Sequence, residues 1–317
     1  MALFKLAEET KSGLKVLAFG DSGSGKTSFA LSFPKIVAID SEDGMAWYKG
    51  RERGKNLKYI LNTTSADEVE EALEEIEEEL IGEIDTFVVD SETKIYENQQ
   101  HGGLELAEKR ARTKGQSVDD ANLSQREWGK IKLIGKRMQS SKIKIASMGV
   151  NVISIAQEKA IKEKKGENWI ITGYEPDTGK GLKYDYDLVL RLYTEEKDGE
   201  ELFKARVIKD RTEVTKKGQI LDNPSYEIWR DVVEGKQNKK EEVIDFKKDI
   251  KRDEIQMLNE YEAAEKMAEE LREIIGKATK EDKSKIISKC KELKIENPLK
   301  CDDISAMSKL MDFVKKM

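Results

Sequence analysis

A run of eight residues near the amino end has the composition of a phosphate-binding turn. It fits the spacing G-x-x-x-x-G-K-[ST] in full and consists of Gly20, Asp21, Ser22, Gly23, Ser24, Gly25, Lys26 and Thr27. The glycines allow successive backbone N–H groups to face one anion. The lysine supplies a mobile positive charge for the β- and γ-phosphates, and the threonine hydroxyl is a ligand for Mg²⁺. The run therefore predicts a site for ATP and its magnesium ion.

The segments on both sides of this turn predict the strand and helix that position it. Residues 14–19 form an apolar run typical of a buried strand, and residues 26–33 predict a helix that ends at Pro34. Apolar runs recur and alternate with amphipathic stretches, an order that predicts an α/β fold with a mostly parallel central sheet flanked by helices. The further predicted strands are 36–40, 86–90, 152–156, 187–194 and 201–208, the last two joined as a hairpin at Asp198-Gly199.

Acidic residues follow two predicted strands whose carboxyl ends should meet at one edge of the sheet. Asp90 ends strand 86–90, which we expect beside the strand that precedes the phosphate turn, and it predicts the carboxylate that completes a Mg²⁺ site. Glu42 follows strand 36–40 and is the preferred catalytic base, with Asp40 as the alternative. Ligands of open α/β sheets bind at this edge. The non-catalytic alternatives are a strand-end cap for Asp90 and loop solvation for the other two.

Three further polar residues close predicted strands. Gln157 ends strand 152–156, where a glutamine can sense the γ-phosphate and pass its state to the following loop. Lys209 and Arg211 end the hairpin strand, from which they could reach the nucleotide of a neighbouring subunit. A cation placed there can be worth on the order of 10³-fold in rate. In each case an ordinary solvated strand end is the alternative.

Two polar segments, residues 91–123 and 158–184, are predicted as long loops. In the second segment lysines alternate with Trp169 and Tyr174, a pattern suited to a single strand, because cations follow phosphates and rings stack on bases. Carboxylates in the same segment leave its net charge small, so a balanced surface loop is the alternative. The candidate nucleic-acid contacts are Lys159, Lys162, Lys164, Lys165 and Trp169, together with a denser basic cluster of Lys109, Arg110, Arg112 and Lys114.

Composition limits the function classes. The net charge of −6 argues against a protein that coats nucleic acid through charge alone, but it permits local basic patches. Two cysteines are too few for a disulfide framework, and the single histidine, His101, lacks the spacing of a metal site. No apolar run is long enough for a signal peptide or a membrane span. We therefore expect a cytoplasmic protein.

The composition changes after residue 235. Residues 236–317 are highly charged with both signs and show little strand-like alternation, which predicts a helical appendage with a long helix from about residue 239 and two shorter ones. We expect two domains, an ATP-binding core over residues 1–235 and this carboxyl-terminal region. Within the core, residues 124–127 form a capping box that predicts the start of a helix.

The order of the motifs resembles the RecA-like ATPases, in particular the small bacteriophage recombination ATPases of the single-strand-annealing type. The resemblance covers about residues 14–232. It rests on the phosphate turn, on the Lys209-Asp210-Arg211 step, and on the segments 37–42, 87–91, 153–157 and 177–184.

The resemblance implies a RecA-like P-loop NTPase core that binds Mg²⁺ and ATP and assembles as a homo-oligomer, in a ring or a filament. It implies Glu42 as base, Asp90 at the magnesium ion and Gln157 as switch. It also implies single-stranded DNA as partner, with residues 91–123 and 158–184 as the DNA-binding loops. A single-strand-binding protein or another recombination partner is expected at the carboxyl-terminal helices.

The sequence thus predicts a Mg²⁺-dependent ATPase that acts on single-stranded DNA in phage-type recombination or replication, located in the host cytoplasm if it is of phage origin. The alternatives are a nucleotide-gated interaction protein and a helicase-loader-like ATPase without strand exchange. A small-molecule kinase is disfavoured, because residues 158–184 contain no arginines to close over the phosphates.

Overall fold

The structure, a computed structural model, describes residues 4–119, 121–301 and 303–317, with residues 260 and 261 described in their backbone alone. These residues divide into two compact units, with the division between Ile244 and Asp245. Each unit has its own apolar core. Within the described ranges, no helix is both long and apolar enough to cross a membrane.

Strands and helices alternate along the first unit, as the apolar runs predict. Its first half contains β1 (Lys15–Gly20), α1 (Lys26–Leu31), β2 (Ile36–Asp40), β3 (Leu57–Leu61), α2 (Ala66–Glu75), β4 (Thr86–Asp90), α3 (Glu92–Thr113) and α4 (Gln125–Ser147). Its second half contains β5 (Asn151–Lys165), β6 (Asn168–Pro176), β7 (Leu188–Lys197), β8 (Glu200–Asp210), β9 (Ile220–Asp222) and α5 (Arg230–Gln237).

In the described part of the chain, nine strands form one sheet in the order β3-β2-β4-β5-β1-β7-β8-β9, and β6 pairs with β5 outside this path. The strands from β3 to β7 in this order run parallel. Beyond them, β8 pairs antiparallel with β7, and β9 pairs antiparallel with β8. The carboxyl ends of the parallel strands therefore open at one edge, where the loop after β1 lies. The predicted mostly parallel sheet is confirmed.

One predicted neighbour relation is wrong. We expected β4 beside β1, but β5 lies between them and pairs with both strands, matching Gln157 to Gly20 and Ile155 to Asp90. The order of strands depends on crossover connections, which local sequence does not specify. Asp90 must therefore reach the phosphate loop across one intervening strand.

Alternate residues of the strands face two helical layers. On one face, Val16 and Ala18 pack in a cluster with Phe29 of α1 and the fully buried Trp229. On the other face, residues of β2, β4 and β5 pack against α2 and α4. Burial of each large apolar side chain contributes about 1.5–3 kcal/mol. The helices on both faces confirm the predicted arrangement and hold the strands in register.

The two segments predicted as loops are largely regular, so that prediction is wrong. Residues 91–123 contain the 22-residue helix α3. A Cβ atom at Gly103 in this helix would lie 2.4 Å from Leu123 Cδ2, so the glycine serves a close approach rather than a turn. In the second segment, β5 continues past the sheet edge and pairs with β6 as an antiparallel hairpin over Glu158–Pro176, here called the β5–β6 hairpin.

The described residues of the second unit form the α-helices α6 (Phe246–Lys277), α7 (Lys280–Glu292) and α8 (Ile304–Val314). Their apolar sides form a separate core that includes the fully buried Leu271, Met307 and Leu310. The long helix begins at Phe246, where Asp245 caps it, rather than near residue 239. The predicted boundary after residue 235 falls inside α5, whose Val233 belongs to the core of the first unit.

The predicted capping box is present at the start of α4. Ser124 Oγ accepts a hydrogen bond from Glu127 N (3.3 Å), and Glu127 Oε2 accepts one from Ser124 N (2.7 Å). We expect Ser124→Ala to lower the free energy of unfolding by about 1 kcal/mol, because a helix-end N–H group loses its acceptor. Urea unfolding followed by circular dichroism measures the change.

Ser140→Ala is the matched control, because the Ser140 hydroxyl donates only to the Lys136 carbonyl within the same helix. We expect a change below about 0.5 kcal/mol for this variant. Equal losses in the two variants would show that the cap does not stabilise α4.

Candidate nucleotide site

The phosphate loop joins β1 to α1 at the carboxyl edge of the sheet, and three of its glycines cannot be replaced without strain, Gly23 because of its φ of +74°. Gly25 has a φ of +84°, in the left-handed region that favours glycine, and it directly precedes the helix. A Cβ atom at Gly20 would lie 2.1 Å from the Leu192 carbonyl oxygen of β7. The backbone is thus packed closely against its neighbours, with the amino end of α1 directed at the loop. This geometry is typical of a phosphate-binding site.

Lys26 lies over the loop that it follows. Its Nζ donates hydrogen bonds to the carbonyl oxygens of Gly20 (3.0 Å) and Asp21 (2.6 Å). Burial lowers the pKa of Lys26, and the nearby carboxylates of Asp90 and Glu42 oppose this shift. The ammonium group is therefore partly desolvated and faces acidic groups, a setting in which a phosphate anion gains a strong interaction.

Thr27 and Asp90 meet across the intervening strand β5. Thr27 Oγ1 donates a hydrogen bond of 2.7 Å to Asp90 Oδ2, and Asp90 is only 6% exposed. Burial raises the pKa of Asp90 to about 6, against the lowering effect of the Thr27 hydrogen bond. A hydroxyl and a carboxylate oxygen side by side are hard oxygen ligands of the kind Mg²⁺ prefers. These two residues therefore fit a magnesium site at the loop.

Glu42 and Gln157, predicted as base and switch, are in direct contact. Glu42 Oε1 accepts hydrogen bonds from Gln157 Nε2 (3.0 Å) and from Ser91 Oγ (2.7 Å). Both bonds use the same oxygen, and Oε2 has no hydrogen-bond partner among the described residues. Ser41 Oγ in turn accepts a hydrogen bond from Ser91 N (2.7 Å), which ties the loop after β2 to the end of β4. The carboxylate is thus oriented by its neighbours while one oxygen stays available.

Asp40, the alternative base, has a different role. It is almost fully buried, and its carboxylate accepts hydrogen bonds from the backbone N–H groups of Glu42, Gly44 and Met45 (3.2, 3.2 and 2.7 Å). These bonds fold the turn that presents Glu42 to the site. Both Asp40 oxygens are thus engaged by the backbone, and Glu42 as the base stays a prediction.

Lys209 and Arg211 lie at the opposite edge of the sheet from the phosphate loop. Since β8 runs antiparallel to β7, its last residues pair with the start of that strand, where Asp210 faces Leu188. Lys209 Nζ donates hydrogen bonds to the carbonyl oxygens of Tyr184 and Tyr186, and Arg211 lies 3.5 Å from the carboxylate of Asp187. Within one chain, neither side chain is brought to the site.

The candidate nucleic-acid residues lie on two elements. On the β5–β6 hairpin, Lys162, Lys164 and Lys165 are exposed and Trp169 is 66% exposed, whereas Lys159 is paired with Asp177 (3.2 Å). At the end of α3, Lys109 and the capping residue Lys114 are exposed, whereas Arg110 and Arg112 form ion pairs with Glu127 (2.6 Å) and Glu108 (3.5 Å). Both groups are on the surface, but three of their cations already have carboxylate partners.

The sequence did not predict the residues that connect the site to the segment after β6. Thr93 Oγ1 accepts a hydrogen bond from Gln157 N (2.9 Å) and donates one to the Asp177 carbonyl (2.8 Å). Ser91, which orients Glu42, was also missed. These partners are separated by long stretches of sequence and meet only through the strand order. The one local signal is that Ser91 and Thr93 directly follow the strand-end Asp90.

The turn of backbone N–H groups, the lysine and the threonine–carboxylate pair together define a P-loop nucleotide-binding protein. The family described as AAA domain matches residues 12–225, more than half of the chain. The chain therefore belongs to the AAA domain family, and the site is that of a P-loop ATPase. None of the curated proteins matches the chain significantly.

Two solved structures are similar to the chain at low identity. A RadB recombinase is 19% identical, with a TM-score of 0.43, over 67% of this chain and 87% of that one. A KaiC-like protein from the hyperthermophilic archaeon Pyrococcus horikoshii OT3 is 17% identical, with a TM-score of 0.39, over 68% of this chain and 94% of that one. The finer resemblance to phage recombination ATPases stays a prediction.

The raised pKa of Asp90 predicts a pH-dependent affinity for the magnesium nucleotide. Asp90 must lose its proton to act as a ligand, so affinity should fall as the pH falls through about 6. Between pH 7.5 and 5.5 the ionised fraction falls about fourfold, and we expect the Kd of Mg²⁺–ATP to rise by the same factor. Isothermal titration calorimetry at the two pH values measures it.

Asp90→Asn supplies the control, because it keeps the shape of the side chain and removes its titration. The protonation of ATP itself affects both proteins equally. If the variant and the native protein showed the same pH dependence, Asp90 would not be the titrating group.

Proposed function

We propose that the protein hydrolyses ATP with magnesium and that single-stranded DNA controls this hydrolysis. The observation that carries the proposal is the hydrogen bond between Glu42 and Gln157. It joins the candidate base, next to the phosphate loop, to the strand that continues without interruption into the β5–β6 hairpin. This hydrogen bond thereby connects the candidate catalytic base to the exposed hairpin.

Three side chains and the loop backbone would bind the phosphates and the magnesium ion. Lys26 would leave its own loop carbonyls to bind the β- and γ-phosphates, and the N–H groups at the start of α1 would face the same anion. Thr27 and Asp90 would hold the magnesium ion, which neutralises charge on the phosphate oxygens when it is bound. Because Asp90 is buried, bulk water does not compete with Thr27 for its carboxylate.

Glu42 is proposed to orient the attacking water and to take its proton. Its Oε1 is occupied by Ser91 and Gln157, so Oε2 is the oxygen available to water. Because the Gln157 amide donates to the base, any rotation of that amide would change the position of the carboxylate. A switch that acts on Gln157 would therefore act on the rate of hydrolysis.

The β5–β6 hairpin is the proposed DNA-contacting element. It presents the exposed rings and apolar side chains of Trp169 (66% exposed) and Ile171 (55% exposed) beside exposed lysines, an arrangement that suits stacking with bases. Its acidic and basic residues nearly balance, so we expect stacking rather than charge to dominate. The exposed Lys109 and Lys114 on α3 are proposed as additional phosphate contacts.

We also propose an oligomeric assembly and a biological role. We propose a ring or filament of identical subunits, in which Lys209 and Arg211 of one subunit serve the nucleotide of the next, since within one chain they lie far from their own loop. The phage-type recombination or replication role, and a single-strand-binding protein or similar partner at α6–α8, rest on the sequence resemblance.

Replacing the base tests the ATPase. We expect Lys26→Ala to abolish nucleotide binding, and Glu42→Gln to keep binding but lower ATP turnover at least about 100-fold, the usual worth of a positioned base. Glu71→Gln, at an exposed position on α2, is the matched control and should leave turnover unchanged. Phosphate release measures turnover, and fluorescent ATP titration measures binding.

Unchanged turnover in Glu42→Gln would remove Glu42 from the catalytic role. If the native protein showed no Mg²⁺-dependent affinity for any nucleoside triphosphate, the whole proposal would fail.

Replacing the switch tests the coupling to DNA. We expect single-stranded oligo(dT) to raise ATP turnover of the native protein, and Gln157→Ala to lose most of this stimulation while it still binds the oligonucleotide. The physical reason is that the variant keeps the hairpin but loses the contact with Glu42. If the native protein showed neither stimulation nor any binding of the oligonucleotide, the DNA part would be refuted and the ATPase would stand.

A further inference from the structure

A cavity of about 560 Å³ lies between α3, α4 and the segment Gly179–Asp185 that follows the hairpin. Its walls are mostly apolar. They include Ile95, Ile131 and Met138, which are buried, and two aromatic residues, Tyr96 and the 43% exposed Trp128. This volume lies within the range of sites that hold small organic molecules, roughly 300–1,000 Å³.

A polar group without a partner lies at the inner end of the cavity. Gln139 is 5% exposed and lines the cavity, and its Oε1 lies 3.4 Å from the Tyr186 hydroxyl, which donates its single proton to Ser154 Oγ (2.6 Å). Its Nε2 is buried and has no hydrogen-bond partner among the described residues. A buried donor without an acceptor is costly to a folded protein. A ligand that offers an acceptor there would remove this cost.

The charges inside the cavity are already compensated. Lys142 and Glu92 both line it and form a buried ion pair, and Glu92 Oε1 also accepts a hydrogen bond from Ser154 Oγ (2.5 Å). The inner end is therefore polar but close to neutral. It suits an uncharged group with hydrogen-bonding atoms rather than a carboxylate or a phosphate.

Positive charge is in excess at the rim. Lys132, Lys136 and Lys180 line the cavity and are exposed, and no described carboxylate lies within ion-pair distance of any of them. Asp185 also lines the cavity, so three positive charges are set against one negative charge. Lys132 and Lys136 are four residues apart on α4 and so lie on one side of the helix. The rim is thus suited to an anion, while the walls and inner end suit a flat neutral ring.

We propose that this cavity takes the base of a nucleotide, with the phosphate held at the lysine rim. Aromatic and apolar walls match the faces of a base, and the Gln139 amide matches its hydrogen-bonding edge. The nucleotide can belong to a single strand or be free. For a single strand the inference rests on the proposed function, whereas for a free nucleotide it stands alone.

The site is tested with oligo(dT) that carries one central 2-aminopurine, and with free dAMP as the second arm. Entry of the base into the cavity should change the fluorescence of 2-aminopurine. We expect Trp128→Ala to raise the Kd at least about fivefold, the lower limit for loss of one stacked base. We expect Gln139→Leu to raise it about fivefold, the usual worth of one hydrogen bond. Lys130→Gln, on the same helix but outside the lining, should change the Kd less than about twofold.

The two arms separate the sources of the nucleotide. If the oligonucleotide binds and the cavity variants weaken it, the base comes from a single strand. If only dAMP binds and the same variants weaken it, the site is for free nucleotides, and the DNA part of the proposed function fails while the cavity stands. If folded variants bind both ligands as the native protein does, or if neither ligand binds the native protein, the inference is overturned.

Discussion

The hydrogen bond between Thr27 and Asp90 is the interaction on which the rest of the site depends. It exists because a parallel sheet places the carboxyl ends of separate strands at one edge, so that Thr27 and Asp90 meet although β5 lies between β1 and β4. The same edge brings Glu42 and Gln157 together. The helical layers on both faces, rather than the polar contacts themselves, hold these ends within hydrogen-bonding distance.

Beneath the site lies a buried polar network that local patterns do not reveal. The Tyr186 hydroxyl donates to Ser154 Oγ (2.6 Å), which in turn donates to Glu92, the partner of the buried Lys142. Burial, with the nearby Glu92 carboxylate, raises the pKa of Tyr186 well above its usual range. Breaking a buried pair of this kind is strongly destabilising, because one charge is left without compensation. The network fixes the start of α3, directly behind Asp90.

The sequence allowed prediction of those parts of the fold and site that are local. The phosphate turn, the strand-end Asp90 and the capping box at Ser124 depend on residues within a few positions of each other, and each lies where its pattern indicates. The neighbour of β1, the hairpin beyond Gln157 and the helix over residues 92–113 depend on long-range packing. Polar composition suggested loops there, because exposed helices and hairpins share that composition. Lys209 was placed by motif order alone, and the antiparallel direction of β8 puts it at the far edge.

The length of β5 has a mechanical consequence. From Val152 to Ile155 the strand is paired on both sides, to β1 and to β4, so it cannot slide without turning Ile153 and Ile155 out of their core. A displacement of the hairpin is therefore expected to reach Gln157 as a twist or bend of the strand rather than as a shift along it.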